Sequence, residues 1–148
     1  MKHRKFVSQL AHERIHAAIR HAELNTSGEI RVMVSHQPAP DPVAAAQEAF
    51  LRLHMQRTQH RNAVLFFVAP RSRTFAVVGD EAVHAKCGDN FWRELAGAMT
   101  ACFRRGEFTE GLLHGIGRAH DLLAAHFPRQ ADDRNELPDV VVEDGPAP

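Results

Sequence analysis

The pattern of apolar and polar positions is clearest between Gln59 and Asp89, where two apolar runs flank a short basic turn. Ala63-Val-Leu-Phe-Phe-Val-Ala69 is apolar throughout, bounded by Asn62 and Pro70. A seven-residue run rich in Val and Phe fits a strand buried on both faces. Pro70-Arg-Ser-Arg73 turns the chain, and Thr74-Phe-Ala-Val-Val78 returns it as a second strand ending at Gly79-Asp80. This is a hairpin at the centre of a sheet.

Helical spacing governs the flanks. Val7, Leu10, Ala11, Ile15, Ala18, Ile19 and Ala22 predict a first helix over about 6–24. Asn25-Thr-Ser-Gly28 breaks it, and Glu29-Ile-Arg-Val-Met-Val34 alternates as a strand. After the Gln37-Pro-Ala-Pro40 loop, Asp41 and Pro42 supply an N-cap and a first-turn proline. Val43, Ala46, Phe50 and Leu53 are then expected on the inner face of a second helix. Residues 79–88 read as a loop. Asp89 is expected to cap a third helix, with Phe91, Leu95, Met99 and Phe103 inward and Gly106 at its end. Thr109 is expected to cap a fourth, with Leu112, Leu113, Ile116, Ala119, Leu122 and Leu123 in the core and Phe127-Pro128 closing it. Gly111 and Gly115, one turn apart, suit close approach to a neighbour.

Strand, helix and strand over 29–69 form a βαβ unit, so those two strands should be parallel with a right-handed crossover. The hairpin strand returns antiparallel. The expected fold is α/β: a small mixed sheet covered by helices in a three-layer sandwich.

Composition narrows the function. The chain has 148 residues, enough for one domain with a single good core, and 44% hydrophobic and 24% charged residues, as in ordinary globular proteins. Basic and acidic side chains balance at 18 each, which gives no field for nucleic acid. The balance hides a division: residues 1–128 carry 16 basic and 12 acidic groups (+4), and 129–148 carry 2 and 6 (−4). The domain is therefore read as 1–128, followed by an acidic, mostly irregular tail, 129–148, that packs back in part. Cys87 and Cys102 lack a paired metal spacing and read as thiols. The N-terminal Met-Lys-His-Arg-Lys-Phe lacks a signal-peptide core, and no apolar run approaches a membrane span, so a cytoplasmic protein is expected.

Several segments together resemble the TPM domain, a family named for thylakoid-lumen, photosystem-repair and acetylcholine-receptor-modulator proteins. They are Thr26-Ser-Gly-Glu-Ile-Arg-Val32, Thr58-Gln-His-Arg-Asn-Ala-Val-Leu65, Phe75-Ala-Val-Val-Gly-Asp80, Phe91-Trp92, the Phe103, Gly106, Phe108, Gly111 string, and Asp133-Arg-Asn-Glu-Leu-Pro138. The resemblance spans nearly the whole chain and is to the short, soluble bacterial branch. Two departures stand out: Ala63 replaces a frequent glycine, and the usual glycine-rich loop reads Asp80-Glu-Ala-Val-His84. The resemblance implies an α/β sandwich. It also implies one of three roles found in the family: weak acid phosphatase, divalent-metal binder, or assembly and repair factor.

Three constellations can carry chemistry. His12-Glu13-Arg14-Ile15-His16 is a literal H-E-x-x-H, whose histidines share a helix face as zinc ligands would. Its extension fails, with Ile19 and Ala22 where Gly and His are needed, and both histidines flank the apolar stripe. Zinc is not expected. Topology places the starts of the two parallel strands beside the end of the hairpin strand. That edge gathers Glu29, Asn62, Asp80 and Glu81, with Asp89 and His84 in reach, and oxygen ligands of this kind suit Ca²⁺ or Mg²⁺. The plain structural reading makes Asp80 and Asp89 caps and Glu29 a solvent-facing strand residue. The opposite edge collects Ser35, His36, Arg71 and Arg73, which suit an anion at strand carboxyl ends, though arginines so placed are more often just a solvated hairpin turn.

No G-x-S-x-G elbow is present, and Asp132-Asp-Arg-Asn-Glu136 lacks the glycine and terminal glutamate of a calcium loop. Leu137 is the expected anchor that folds the tail back. The functional expectation is a non-enzymatic module that binds a divalent cation, a protein partner or both. The alternative is a weak metal-dependent phosphatase acting on small phosphomonoesters.

Overall fold

The computed structural model describes residues 11–129 and 141–144. Helix α1 is His12–Glu23, strand β1 Glu29–Ser35, helix α2 Pro42–Arg52, β2 Ala63–Ala69 and β3 Thr74–Gly79. Helix α3 is Glu81–Arg104, α4 Phe108–His126 and β4 Val142–Asp144. Short 3-10 turns, Met55–Arg57 and Pro70–Ser72, precede and follow β2.

The strands form one mixed sheet in the order β3-β2-β1-β4. As expected, β1 runs parallel to β2, with Glu29 opposite Ala63, and β3 is antiparallel to β2, with Val64 opposite Gly79. The period-two alternation of the strands divides the core in two. Ile30, Val32, Val34, Val64, Phe66 and Val68 meet α1, α3 and α4 on one face. Met33, Ala63, Leu65, Phe67 and Ala69 meet Ala46, Ala49 and Phe50 of α2, and Met55, on the other. All seven β2 residues are buried, which makes β2 the centre of a three-layer sandwich.

Close helix packing depends on two glycines in α4. A Cβ at Gly115 would stand 2.7 Å from the Phe66 ring and 2.8 Å from Met99 Sδ; one at Gly111 would stand 2.6 Å from the Phe103 ring. The absent side chains let α4 lie directly on β2 and α3.

Four local expectations need correction. The segment 79–88 is not a loop: Asp80 caps α3, its Oδ1 accepting from Glu81 N–H at 2.8 Å, and α3 is two helical stretches parted at Gly88 (φ 73°, ψ 176°), the second beginning at Asp89. A carboxylate beside unpaired first-turn N–H groups starts the helix nine residues before Asp89. Thr109 is not the cap of α4; Glu107 holds that position, and Thr109 Oγ1 accepts from Ala11 N–H at 3.0 Å, tying α1 to α4. Val43 is 54% exposed, and the small residues Ala46 and Ala49 take the inner face of α2 with Phe50. Finally, β4 was not expected. It pairs parallel to β1, with Met33 opposite Val142. The proposed anchor Leu137, and the rest of 130–140, lie outside the described residues, as does the first part of the expected 6–24 helix.

Candidate functional site

The acidic edge is built by backbone pairing. Asp80 N–H donates to Ala63 O at 2.9 Å, and Glu29 N–H donates to Asn62 O at 3.4 Å, so β1, β2 and the end of β3 are level there. Asp80 and Glu81 follow β3 directly. Behind them, a tight fit fixes the corner: Gly79 lies against the Trp92 ring and Val83, with no room for a Cβ. Trp92 Nε1–H in turn donates to His84 Nδ1 at 3.1 Å.

Arg61 organises the carboxylates. Its Nε and Nη2 donate to Asp80 Oδ2 and Oδ1, both at 2.8 Å, and its Nη1 lies 3.5 Å from Glu81 Oε1. The planar guanidinium fork matches the Asp80 carboxylate bidentately. Arg61 adopts φ 53°, and its backbone carbonyl accepts from Ala82 N–H, so the loop before β2 is stitched to the first turn of α3. The hydrogen bond to Asp80 raises the arginine's pKa, with the charges of Asp80 and Glu81 adding to it and desolvation opposing. Its side chain remains 41% exposed, whereas that of Asp80 is 5% exposed. The buried acid is thus neutralised by a base that faces water.

The expected ligands separate into three places. Asp80 and Glu81 share Arg61. Asp89 is brought to His84, Oδ1 to Nε2 at 3.6 Å, one helical turn beyond Asp80, because 81–87 is helical. Glu29 is only 2% exposed, so it is no solvent-facing residue. Two strand spacings separate its backbone from Asp80, roughly 10 Å. Asn62 sits between them, fully buried; its Nδ2 donates to Ser27 Oγ at 3.1 Å and its Oδ1 has no partner. Among the described residues, no three His, Cys, Asp or Glu side chains converge as metal ligands would.

The opposite edge also divides. Arg71 and Arg73 are exposed on the hairpin turn, where Arg73 takes φ 55°. Ser72 Oγ accepts from Ala39 N–H at 2.8 Å, and Thr74 Oγ1–H donates to Ala39 O at 2.7 Å, so the turn is held by the loop after β1. His36 does not join these arginines. It is buried at the end of β1, on the side facing β4, with Nε2 3.6 Å from Glu143 Oε1.

In the H-E-x-x-H segment, the rings of His12 and His16 are 6.1 Å apart, edge to face. His16 Nε2 accepts from Val141 N–H at 3.2 Å, so that nitrogen holds the chain as it enters β4. Cys87 and Cys102 are free thiols. Burial pushes the Cys87 thiol pKa up; Asp89 adds to this, while the N–H groups of Cys87 and Gly88 oppose it.

Arg61 and the roles of His16 and β4 were missed in the sequence. Arg61 lies inside the Thr58-to-Leu65 segment, but a single arginine before a strand carries no sign of its partner. Val140-Val-Val142 is a short β-prone run whose signal is masked by the acids and prolines around it.

The model of the TPM domain matches residues 1–122. The chain belongs to the TPM domain family. Among solved structures, this TPM domain is similar to the BA42 protein of the psychrophilic bacterium Bizionia argentinensis, determined by NMR. The two are 38% identical, the match covers 89% of this chain and 91% of BA42, and the TM-score is 0.81. No curated protein matches. Among the described residues of this TPM domain, no helix is long and apolar enough to cross a membrane.

Proposed function

We propose that this TPM domain is a non-enzymatic binding module that takes a divalent cation at its acidic edge and serves assembly or stress maintenance with a protein partner. One observation carries the reading: the Asp80 and Glu81 carboxylates already converge on a single positive centre, the Arg61 guanidinium. Mg²⁺ typically binds through one or two carboxylates and keeps several waters, and Ca²⁺ tolerates irregular oxygen sets. Two adjacent carboxylates at a partly exposed edge suit such an ion. Asp89 is drawn to His84 and Glu29 is buried two strand spacings away, so water would complete the ion's shell. Arg61 acts as the resident counter-charge, and because it faces solvent it can swing out when an ion arrives.

Affinity is modest in this reading, since the ion must displace a bidentate arginine. The test is thermal unfolding with and without millimolar calcium or magnesium. Asp80→Asn with Asp89→Asn should abolish the cation-dependent stabilisation and leave the apo fold intact. No shift in the wild type would remove the cation from the proposal and leave protein binding alone.

The phosphatase reading gains from Arg61, which would be free to meet phosphate if a metal took Asp80. It is opposed by distance: Arg71 and Arg73 lie beyond the other end of β2, about 20 Å from Asp80 at the usual strand rise. Magnesium-dependent hydrolysis of p-nitrophenyl phosphate, lost in Arg61→Ala, would favour it; no turnover favours the binding module.

A further inference from the structure

The two edges of the sheet differ. Beside β1, Ile30 N–H donates to Glu23 Oε2 at 3.2 Å, and β4 pairs along Met33 to Ser35. The other edge is β3. Asp80 N–H donates to Ala63 O, and an antiparallel ladder alternates, so Thr74, Ala76 and Val78 turn their main-chain groups to β2. Those of Phe75, Val77 and Gly79 point outward. Among the described residues, no group accepts from or donates to them on that side. Such an edge is a template for pairing with another chain, and proteins guard it with charge, proline or a bulge. Thr74-Phe-Ala-Val-Val-Gly79 has neither charge nor proline, and its register with β2 runs without a bulge. Phe75, Val77, Val78 and Gly79 are partly exposed.

Hydrogen-bond alternation limits what can pair there, because outward residues must face outward residues. For two antiparallel β3 strands, the register with Val77 opposite Val77 also sets Phe75 opposite Gly79 and uses every outward group. That register carries Arg73 of one copy to Glu81 of the other, at both ends of the pair, and both residues are exposed. The edge is therefore complementary to itself in charge. A phenylalanine across from an edge glycine is a favourable pair as well. The covering helix adds apolar surface: α2 packs on β3, and its Val43 and Leu51, 54% and 57% exposed, stand about two turns apart.

We propose that β3 is the interface between two copies of this chain, which join their sheets antiparallel about a two-fold axis at Val77. The contact is isologous, so it closes as a dimer and leaves no free β3 edge. Main-chain pairing holds its centre, Arg73 and Glu81 hold its two ends, and the α2 helices of the copies come alongside each other. The interface does not depend on the cation reading, and its test uses protein free of divalent cations.

The experiment is sedimentation equilibrium of the full chain from micromolar to millimolar concentration, with NMR amide exchange at both ends of the series. A monomer–dimer equilibrium is expected, with exchange at Phe75, Val77 and Gly79 slowed at the high concentration. Val77→Pro removes an outward N–H that the fold does not use, and proline is tolerated at such an edge position. That variant should be monomeric with native amide dispersion. Should it fail to fold, the charges decide. Arg73→Glu should weaken the dimer about tenfold, as expected for two exposed ion pairs, and Arg73→Glu with Glu81→Arg should restore it. A monomer throughout the series, edge amides that exchange equally at both concentrations, or a double variant no tighter than Arg73→Glu would overturn the proposal.

Discussion

Gly79→Ala tests the corner that presents Asp80 and Glu81. The new Cβ would stand 2.5 Å from Trp92 Cζ2, 2.8 Å from Cη2 and 3.2 Å from Val83 Cγ1. The first two distances are impossible, so the indole must move. Overpacking of this kind costs ~1–3 kcal/mol. Against it, replacing a strand glycine by alanine recovers ~0.5–1 kcal/mol of backbone entropy. The net expectation is a loss of roughly 0.5–2 kcal/mol, or a fall of roughly 2–6 °C in melting temperature for a chain of this length. The indole shift should also break the bond from Trp92 Nε1–H to His84 Nδ1. Trp92 is the only tryptophan, so its emission reports the corner directly. Gly117→Ala is the control: it lies in α4 with nothing within 4 Å, and should gain up to ~1 kcal/mol of helix propensity. A Gly79→Ala protein that melts at or above wild type with unchanged emission would refute the packing argument.

Asp80→Ala should cost ~1 kcal/mol through loss of the α3 cap, while Asp80→Asn, an equally good capping residue, should keep that part; urea unfolding of both separates cap from charge. The pH midpoint of Cys87 alkylation should lie above that of a free thiol, because partial burial favours the protonated form, and Asp89→Asn should move the midpoint down. Since the folded thiol pKa is raised, the associated stability is full below the unfolded thiol pKa and fades as pH rises through the folded one. A midpoint at the free-thiol value would contradict the burial seen at this position. His16→Ala should remove the acceptor for Val141 N–H and speed amide exchange at Val142 and Glu143; unchanged exchange would mean that the β1 pairing alone holds β4.

The sheet was legible because its signal is local. Seven apolar residues from Ala63 to Ala69 can only be satisfied between two layers, and Pro70-Arg-Ser-Arg73 sets the hairpin. The helix faces followed from spacing, and the Gly111 and Gly115 pair marked the close approach of α4. Gly88, at φ 73° and ψ 176°, does interrupt the helix, and a helical stretch follows from Asp89 as expected; what the sequence hid was the short stretch before it, which starts at Glu81 under the Asp80 cap. At the acidic edge, Asp80 and Glu81 were found from topology, since neighbouring strand ends must lie together. Their arginine was not. Which base turns toward a carboxylate depends on the φ of Arg61 and the stitching of its carbonyl to Ala82, and neither leaves a mark on composition or periodicity. Asp89 was assigned to the same site on the assumption of a flexible loop, and the helical 81–87 segment delivers it to His84.

The central claim is that Asp80 and Glu81 take a divalent cation in place of Arg61. The most direct measurement is a ¹⁵N–¹H NMR titration with magnesium and then calcium on wild type, Asp80→Asn and Arg61→Ala. The account predicts saturable shifts at Arg61, Asp80, Glu81 and Ala82 with a dissociation constant on the order of millimolar. These should vanish in Asp80→Asn and tighten in Arg61→Ala, where the competing guanidinium is gone. Shifts absent from these amides at saturating cation, or weaker binding in Arg61→Ala, would contradict it.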